Sequence, residues 1–288
     1  MPLAELEAGT AFLILKEEGD WWYITLEQDG KSIFGYIEHR YCMINLPDVI
    51  PSIIYNDTNS YSSLFRSVGK EIPQVTGQAF YSSIYNDRLG KTEFVMPMLY
   101  AAARDVCAAQ HKALFEGNCL VIYQTFRPME TQRRVLSALS QLADIDDEVQ
   151  MGVSAPPWNI DWFISTGVSN HQRGYALDVS MVKAYKVEEK NIGGYSFLET
   201  VECEDYDMPT EMHELSRAAA STMSPTSSEL SETMNQPAIA LRGYFIESGF
   251  SPLASEWWHF NHDNAGLMTE DNPSIGWYYL TECLGQVP

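Results

Sequence analysis

Four side chains in two short stretches could share one metal-centred chemistry. The first stretch is Ser169-Asn170-His171-Gln172-Arg173-Gly174-Tyr175-Ala176-Leu177-Asp178, and the second is Glu256-Trp257-Trp258-His259. His171, Asp178 and His259 supply two imidazoles and a carboxylate. That is a common protein ligand set for catalytic Zn2+, which keeps its fourth position open. A water on such an ion has its pKa lowered to about 7. Glu256 precedes His259 by three residues, within reach of that water as a general base. Taken singly, each residue has a duller role: a hydrogen-bonded core histidine, a turn aspartate, an exposed glutamate. The joint pattern is what points to a metal.

The neighbouring residues must position these groups. Tyr175, Leu177, Val179 and Met181 alternate with Ala176, Asp178 and Ser180, so Asp178 projects from a strand while His171 sits on the loop before it. Gly174 lets that loop turn sharply. Trp257 to Phe260 also reads as a strand. Simple alternation would put Glu256 and His259 on opposite faces, so Glu256 must sit on a turn or bulge if both serve one metal. A third buried strand, Cys119 to Tyr123, delivers Gln124-Thr125-Phe126-Arg127-Pro128 and with it a fixed positive charge at Arg127. Such a preorganised cation lowers a barrier when it faces developing negative charge.

The pattern S-x-H-x-x-G-x-A-x-D followed by E-x-W-H resembles the zinc D-alanyl-D-alanine peptidases, the dipeptidases and D,D-carboxypeptidases of vancomycin resistance and cell-wall trimming. Ser169, His171, Gly174, Ala176, Asp178, Glu256, Trp258 and His259 fill every fixed position. The resemblance covers most of residues 53 to 262, with insertions before His171 and after Asp178. It implies an α+β zinc peptidase domain, a central antiparallel sheet with flanking helices. It further implies His171, Asp178 and His259 as zinc ligands, Glu256 as the base, and Arg127 stabilising the oxyanion. Ser169 matches the family serine near the substrate. Asp207, in Glu204-Asp205-Tyr206-Asp207-Met208-Pro209-Thr210, matches the aspartate that binds the substrate ammonium, with Pro209 in place of a glycine. At Gln124-Thr125-Phe126 the chain departs from the family's Asp-Gly-Tyr. The implied substrate is a D-Ala-D-Ala bond, in a peptidoglycan stem peptide or the free dipeptide. An L,D-carboxypeptidase or endopeptidase acting on peptidoglycan is an alternative, and a wall-binding protein without catalysis is another. The remaining histidines, His39, His111, His213 and His262, are read as structural.

Ahead of this domain, residues 9 to 46 read as short strands: Ala11–Leu15, Trp21–Leu26 and Ile33–Ile37, with Asp29-Gly30 as a hairpin signal. The aromatic and glycine pattern resembles the bacterial Src-homology-three (SH3-like) barrel, which implies a small all-β wall-binding domain over residues 1–46. Residues 47–52, bracketed by Pro47 and Pro51, read as an extended linker. The peptidase domain then covers 53–288. Helical spacing runs from Met96 to Glu116 through Leu99, Ala102, Val106, Ala109 and Ala113, from Met129 to Leu142, and from Pro237 to Gly249. Residues 151 to 168 read as an insertion near the site mouth, and 193 to 236 as an acidic, loop-rich excursion that partly caps the site.

A net charge of −21 argues against nucleic acid or an anionic membrane surface as partner. No apolar run is long enough to span a bilayer. Met1 to Glu5 lack the features of a secretory leader, so the expected location is extracellular or cell wall with the leader absent from this chain, or cytoplasmic for a strict dipeptidase. Cys42, Cys107, Cys119, Cys203 and Cys283 form no Cys-x-x-Cys pair, so they are read as buried free thiols rather than metal ligands.

Overall fold

The central sheet is assembled from strands that are far apart in sequence. In the computed structural model, which describes residues 5–6, 9–28, 30–82, 84–86, 91–93, 96–271 and 285–286, three antiparallel strands come first: β1 (Leu13–Glu18), β2 (Trp21–Gln28) and β3 (Lys31–Glu38). Then follow β4 (Met43–Asn45), the one-turn helix α1 (Leu46–Val49) and β5 (Ile54–Tyr55). β6 (Arg66–Ser67) pairs with β7 (Lys70–Glu71), and β9 (Ile84–Asn86) with β10 (Lys91–Glu93). Between them lies β8 (Tyr81–Ser82), which pairs with β17 (Gly285–Gln286) at the far end of the chain. The remaining elements are β11 (Pro97–Leu99), α2 (Tyr100–Phe115), β12 (Asn118–Gln124), α3 (Met129–Ala143), α4 (Asp147–Ser154), β13 (Ala176–Ile192), β14 (Tyr195–Asp205), α5 (Gln236–Ile246), β15 (Ser251–Pro252), β16 (His259–Asn261) and α6 (Asp263–Leu267). The sheet runs β15-β16-β13-β12-β5, antiparallel except for β12 with β5, and β14 pairs with β13.

Alternation along β13 divides the two faces of this sheet. Leu177, Val179 and Met181 enter the main core with Ala102, Val106 and Ala109 of α2 and Leu241 and Phe245 of α5. Asp178 points the other way. A second apolar cluster forms from α3 and α4 with Phe65, Trp158 and Phe163. The α2 positions read from helical spacing are all buried. That helix starts only at Tyr100, because Pro97–Leu99 are taken up as a strand against β4.

Three regions bear on the sequence expectation. Among the described residues the N-terminal region is a three-stranded antiparallel meander, and β4 after it pairs with β11. Its small core around Trp22 closes on Tyr100 of α2, at 4.6 Å between ring centroids. The expected linker 47–52 is helical over 47–49, the end of α1. Pro47 lies in the first turn of α1, where a missing N–H costs nothing, and Leu46 is fully buried. The excursion 193–236 opens as strand and is otherwise loop-rich, as expected: β13 continues to Ile192 and returns as β14 through Gly193 and Gly194, both at positive φ, and residues 206–235 are loops, turns and a short 3-10 helix. From Lys183 onward this arm is mostly exposed. Among the described cysteines, Cys42, Cys107, Cys119 and Cys203 are free thiols, and Cys203 is exposed. Asp29 and Cys283 lie outside the described residues, as do Met1 to Ala4. Among the described residues no helix is long and apolar enough to cross a membrane.

Candidate active site

Strand register brings the site together. Asp178 of β13 pairs directly with His259 of β16 on one side and with Gln124 of β12 on the other. Directly paired residues share a face, so the carboxylate and the second imidazole meet without any long-range adjustment. His171 arrives from the turn before β13, which closes with Gly174 N–H donating to the His171 carbonyl at 3.1 Å. Gly174 has φ +81°, a conformation that favours glycine. Glu256 lies outside any strand, as the alternation required; β16 begins only at His259, and Trp257 and Trp258 belong to the turn.

The donor atoms form a triangle. His171 Nε2 lies 3.1 Å from His259 Nδ1 and 3.3 Å from Asp178 Oδ1, and His259 Nδ1 lies 3.0 Å from the same oxygen. A tetrahedral ion with bonds of about 2.0–2.1 Å sets its ligands roughly 3.3 Å apart. The outer nitrogens fix the tautomers. His171 Nδ1–H donates to the Thr125 carbonyl at 2.6 Å, and His259 Nε2–H donates to Asn261 Oδ1 at 3.0 Å. Both imidazoles therefore turn lone pairs inward, against each other and against a carboxylate oxygen. Three lone pairs at these distances repel unless a cation lies among them. The donor set fits Zn2+, and among the described residues these three are the group able to hold a metal ion.

Electrostatics sharpen the arrangement. Burial pushes His171 down to about 4, with the Arg127 charge adding to it, so the imidazole stays neutral and able to ligate. Burial opposes the charge on Asp178, yet His171, His213 and His259 around it hold it well below the usual carboxylate range. Burial also lowers His259, but the neighbouring Asp178 and Glu256 carboxyls leave it raised overall. Burial pushes Glu256 up to about 8. Its Oε2 is 3.6 Å from His259 Nδ1, beside the triangle, and the residue is 6% exposed. That is the placement and proton affinity of a group that takes and returns protons near neutral pH.

Arg127 is clamped on three sides. It donates from Nε to Gln124 Oε1 at 2.6 Å, from Nη1 to Gln132 Oε1 at 2.8 Å and from Nη2 to Asp178 Oδ2 at 3.1 Å. A guanidinium has five N–H donors, so two remain for the cavity it lines. Gln124, where the family pattern has aspartate, continues inward: its Nε2 donates to Tyr81 Oη, which donates to the buried Asp57 carboxyl at 3.1 Å.

A cavity of about 250 Å³ opens over the triangle, lined among others by Arg127, Trp162, Ser169, Leu253, Glu256 and Asn261. Residues 161–165 and Val168 form one wall, where an insertion at the mouth was expected. The excursion 193–236 contributes no described residue to the lining, so the expected cap comes instead from that wall. Ser169 is buried at the rim, with its Oγ accepting from Gln172 N–H at 3.3 Å. Asp207 is exposed and away from the lining. His39 and His111 are not among the lining residues, and His262 packs elsewhere, bonding Asp105 and capping α6 through Ala265 N–H. His213, read from sequence as structural, instead meets Asp178 Oδ2 through Nε2 at 3.2 Å. No spacing rule links it to either motif. Asn261, two residues past His259, was also missed.

With this geometry in place, comparison with known proteins gives the family. Residues 96–274 match the family profile described as D-ala-D-ala dipeptidase. The chain belongs to that family. No curated protein matches the chain. Two solved structures share a resemblance at low similarity. One is VanYB in complex with D-Alanine-D-Alanine, at 13% identity and TM-score 0.30, covering 70% of this chain and 88% of that one. The other is a mutant of the vancomycin resistance D,D-pentapeptidase VanY from a VanB-type cassette, in complex with Zn(II), at 14% identity and TM-score 0.31, covering 71% and 91%.

Proposed function

We propose that this protein is a zinc-dependent D,D-carboxypeptidase that removes the terminal D-Ala from peptidoglycan stem peptides. The observation that carries the reading is the inward-facing triangle of His171 Nε2, His259 Nδ1 and Asp178 Oδ1 with the Glu256 carboxyl beside it. Zinc held there supplies Lewis acidity to the scissile carbonyl and to a water. Glu256 takes the proton from that water and returns it to the leaving amine. The free N–H groups of Arg127 face negative charge as it develops on the carbonyl oxygen. Ser169 stands at the rim to orient the substrate. Asp207, the ammonium ligand a free dipeptide would need, is exposed and outside the cavity lining, which favours an acylated substrate over free D-Ala-D-Ala.

The N-terminal meander supports a location at the cell wall. Its outer face carries Trp21, Phe34 and Tyr36, each 43–54% exposed, a surface suited to anchoring on wall polymer as an SH3-like module would. The test is mass spectrometry of a muramyl pentapeptide after incubation, with and without a zinc chelator. Chelator-sensitive loss of one D-Ala is expected. Release of D-Ala-D-Ala or of a shorter stem would move the scissile bond inward. Cleavage of free D-Ala-D-Ala with the pentapeptide untouched would replace the reading with a dipeptidase.

A further inference from the structure

We infer that His213 is a positioning residue for the metal, holding the outer oxygen of Asp178 so that the inner one faces the ion. This rests on the zinc reading of the His171–Asp178–His259 site. Asp178 divides its two oxygens between two tasks. Oδ1 lies at 3.0 and 3.3 Å from the two ligand nitrogens. Oδ2 receives His213 Nε2–H at 3.2 Å and Arg127 Nη2–H at 3.1 Å. A carboxylate saturated on one oxygen in this way cannot swing, and presents the other as a single, directed ligand.

Three observations separate this from ordinary core packing. First, His213 has no exposed surface, and its Nδ1 has no hydrogen-bond partner among the described residues. A buried imidazole with one orphaned nitrogen is kept for the bond made by the other. Second, His213 sits at φ +63°, a left-handed conformation that side chains rarely adopt. The backbone tolerates that strain at a residue whose ring reaches Asp178 Oδ2. Third, the ring is gripped in place: it stacks on Phe65 at 4.5 Å between centroids and meets Trp258 edge-on at 6.3 Å. Phe65 also carries the Arg127 guanidinium at 5.2 Å. Both donors to Oδ2 thus lean on one aromatic ring, which fixes their geometry together.

The test is Zn2+ affinity of the full-length protein by competition with a chromophoric chelator, on wild type and on His213→Asn and His213→Gln. Asparagine tolerates positive φ but is too short to reach Oδ2, whereas glutamine places an amide N–H near the Nε2 position. His213→Asn should weaken zinc binding by about 10–100-fold, the usual effect of losing an outer-shell partner, and His213→Gln should recover much of it. Melting temperatures without metal check folding. A purely structural histidine would lower the metal-free melting temperature and leave the zinc dissociation constant within twofold of wild type in the folded variant; that result overturns the inference. If His213→Asn fails to fold, the same decision falls to His213→Gln against His213→Leu. A wild-type protein that takes up no zinc would overturn both this inference and the zinc reading. Tight zinc binding by wild type with unaffected variants overturns this one alone.

Discussion

Replacing Arg127 with methionine keeps the unbranched apolar stem of the side chain while removing its charge and all its donors. The side chain is 8% exposed, and its three bonds run to groups that are themselves buried. Gln124 Oε1 and Gln132 Oε1 would each lose their donor, and Asp178 Oδ2 would keep only His213. An orphaned buried neutral acceptor costs about 1–3 kcal/mol, and more for a charged group. Two neutral acceptors at the low end plus a weakened carboxylate come to about 4 kcal/mol, in line with the roughly 3–5 kcal/mol for breaking a buried ion pair. Against a typical total of about 5–15 kcal/mol, Arg127→Met should remain folded but marginal. The assay is urea unfolding at neutral pH in the presence of chelator, followed by circular dichroism. The same titration with saturating zinc should show a smaller loss, because the ion supplies positive charge to Asp178. A loss below about 1 kcal/mol without metal would refute the reasoning, since it would mean that water already shares the guanidinium.

Glu256→Gln should lower kcat by about 10²–10⁴-fold, the range for a removed general base, with zinc content unchanged. Parallel steady-state kinetics and metal analysis check this, and loss of zinc together with activity would make Glu256 a ligand rather than a base. Burial holds the Asp57 carboxyl up at about 8, above its unfolded value of about 3.9. The native state thus keeps a proton that the unfolded chain releases, and stability falls as pH rises from about 4 towards 8. Asp57→Asn should therefore match wild type near pH 4 and exceed it by a few kcal/mol near pH 8 in urea melts. An equal difference at both pH values would contradict the assignment.

What was legible in the sequence was whatever is carried by local spacing. Strand alternation placed Asp178 and forced Glu256 onto a turn, and periodicity marked the buried face of α2. Non-local pairing was not legible. Nothing near Met43 announces that β4 will pair with β11, and nothing near Pro97 shows that a strand will take the first turn expected of α2. The arm formed by β13 and β14 hides because it is exposed on both faces beyond Lys183, so no apolar alternation marks it. The one available signal was Gly193-Gly194, a two-residue hairpin turn. His213 and Asn261 escaped for a related reason. Residues that orient ligands act through three-dimensional proximity and follow no fixed sequence offset. Arg127 was found, but its clamp was not. The amide at Gln124, a departure from the family pattern, proves to be one of the three acceptors that hold it.

The central claim is a metal held by the inward nitrogens of two histidines and one oxygen of Asp178. Zinc-edge anomalous diffraction from crystals grown with stoichiometric Zn2+ tests it most directly. The account requires one strong peak about 2.0–2.2 Å from His171 Nε2, His259 Nδ1 and an Asp178 oxygen, with Glu256 near but not bonded to it. A peak elsewhere, or one in which His259 ligates through Nε2, would contradict it.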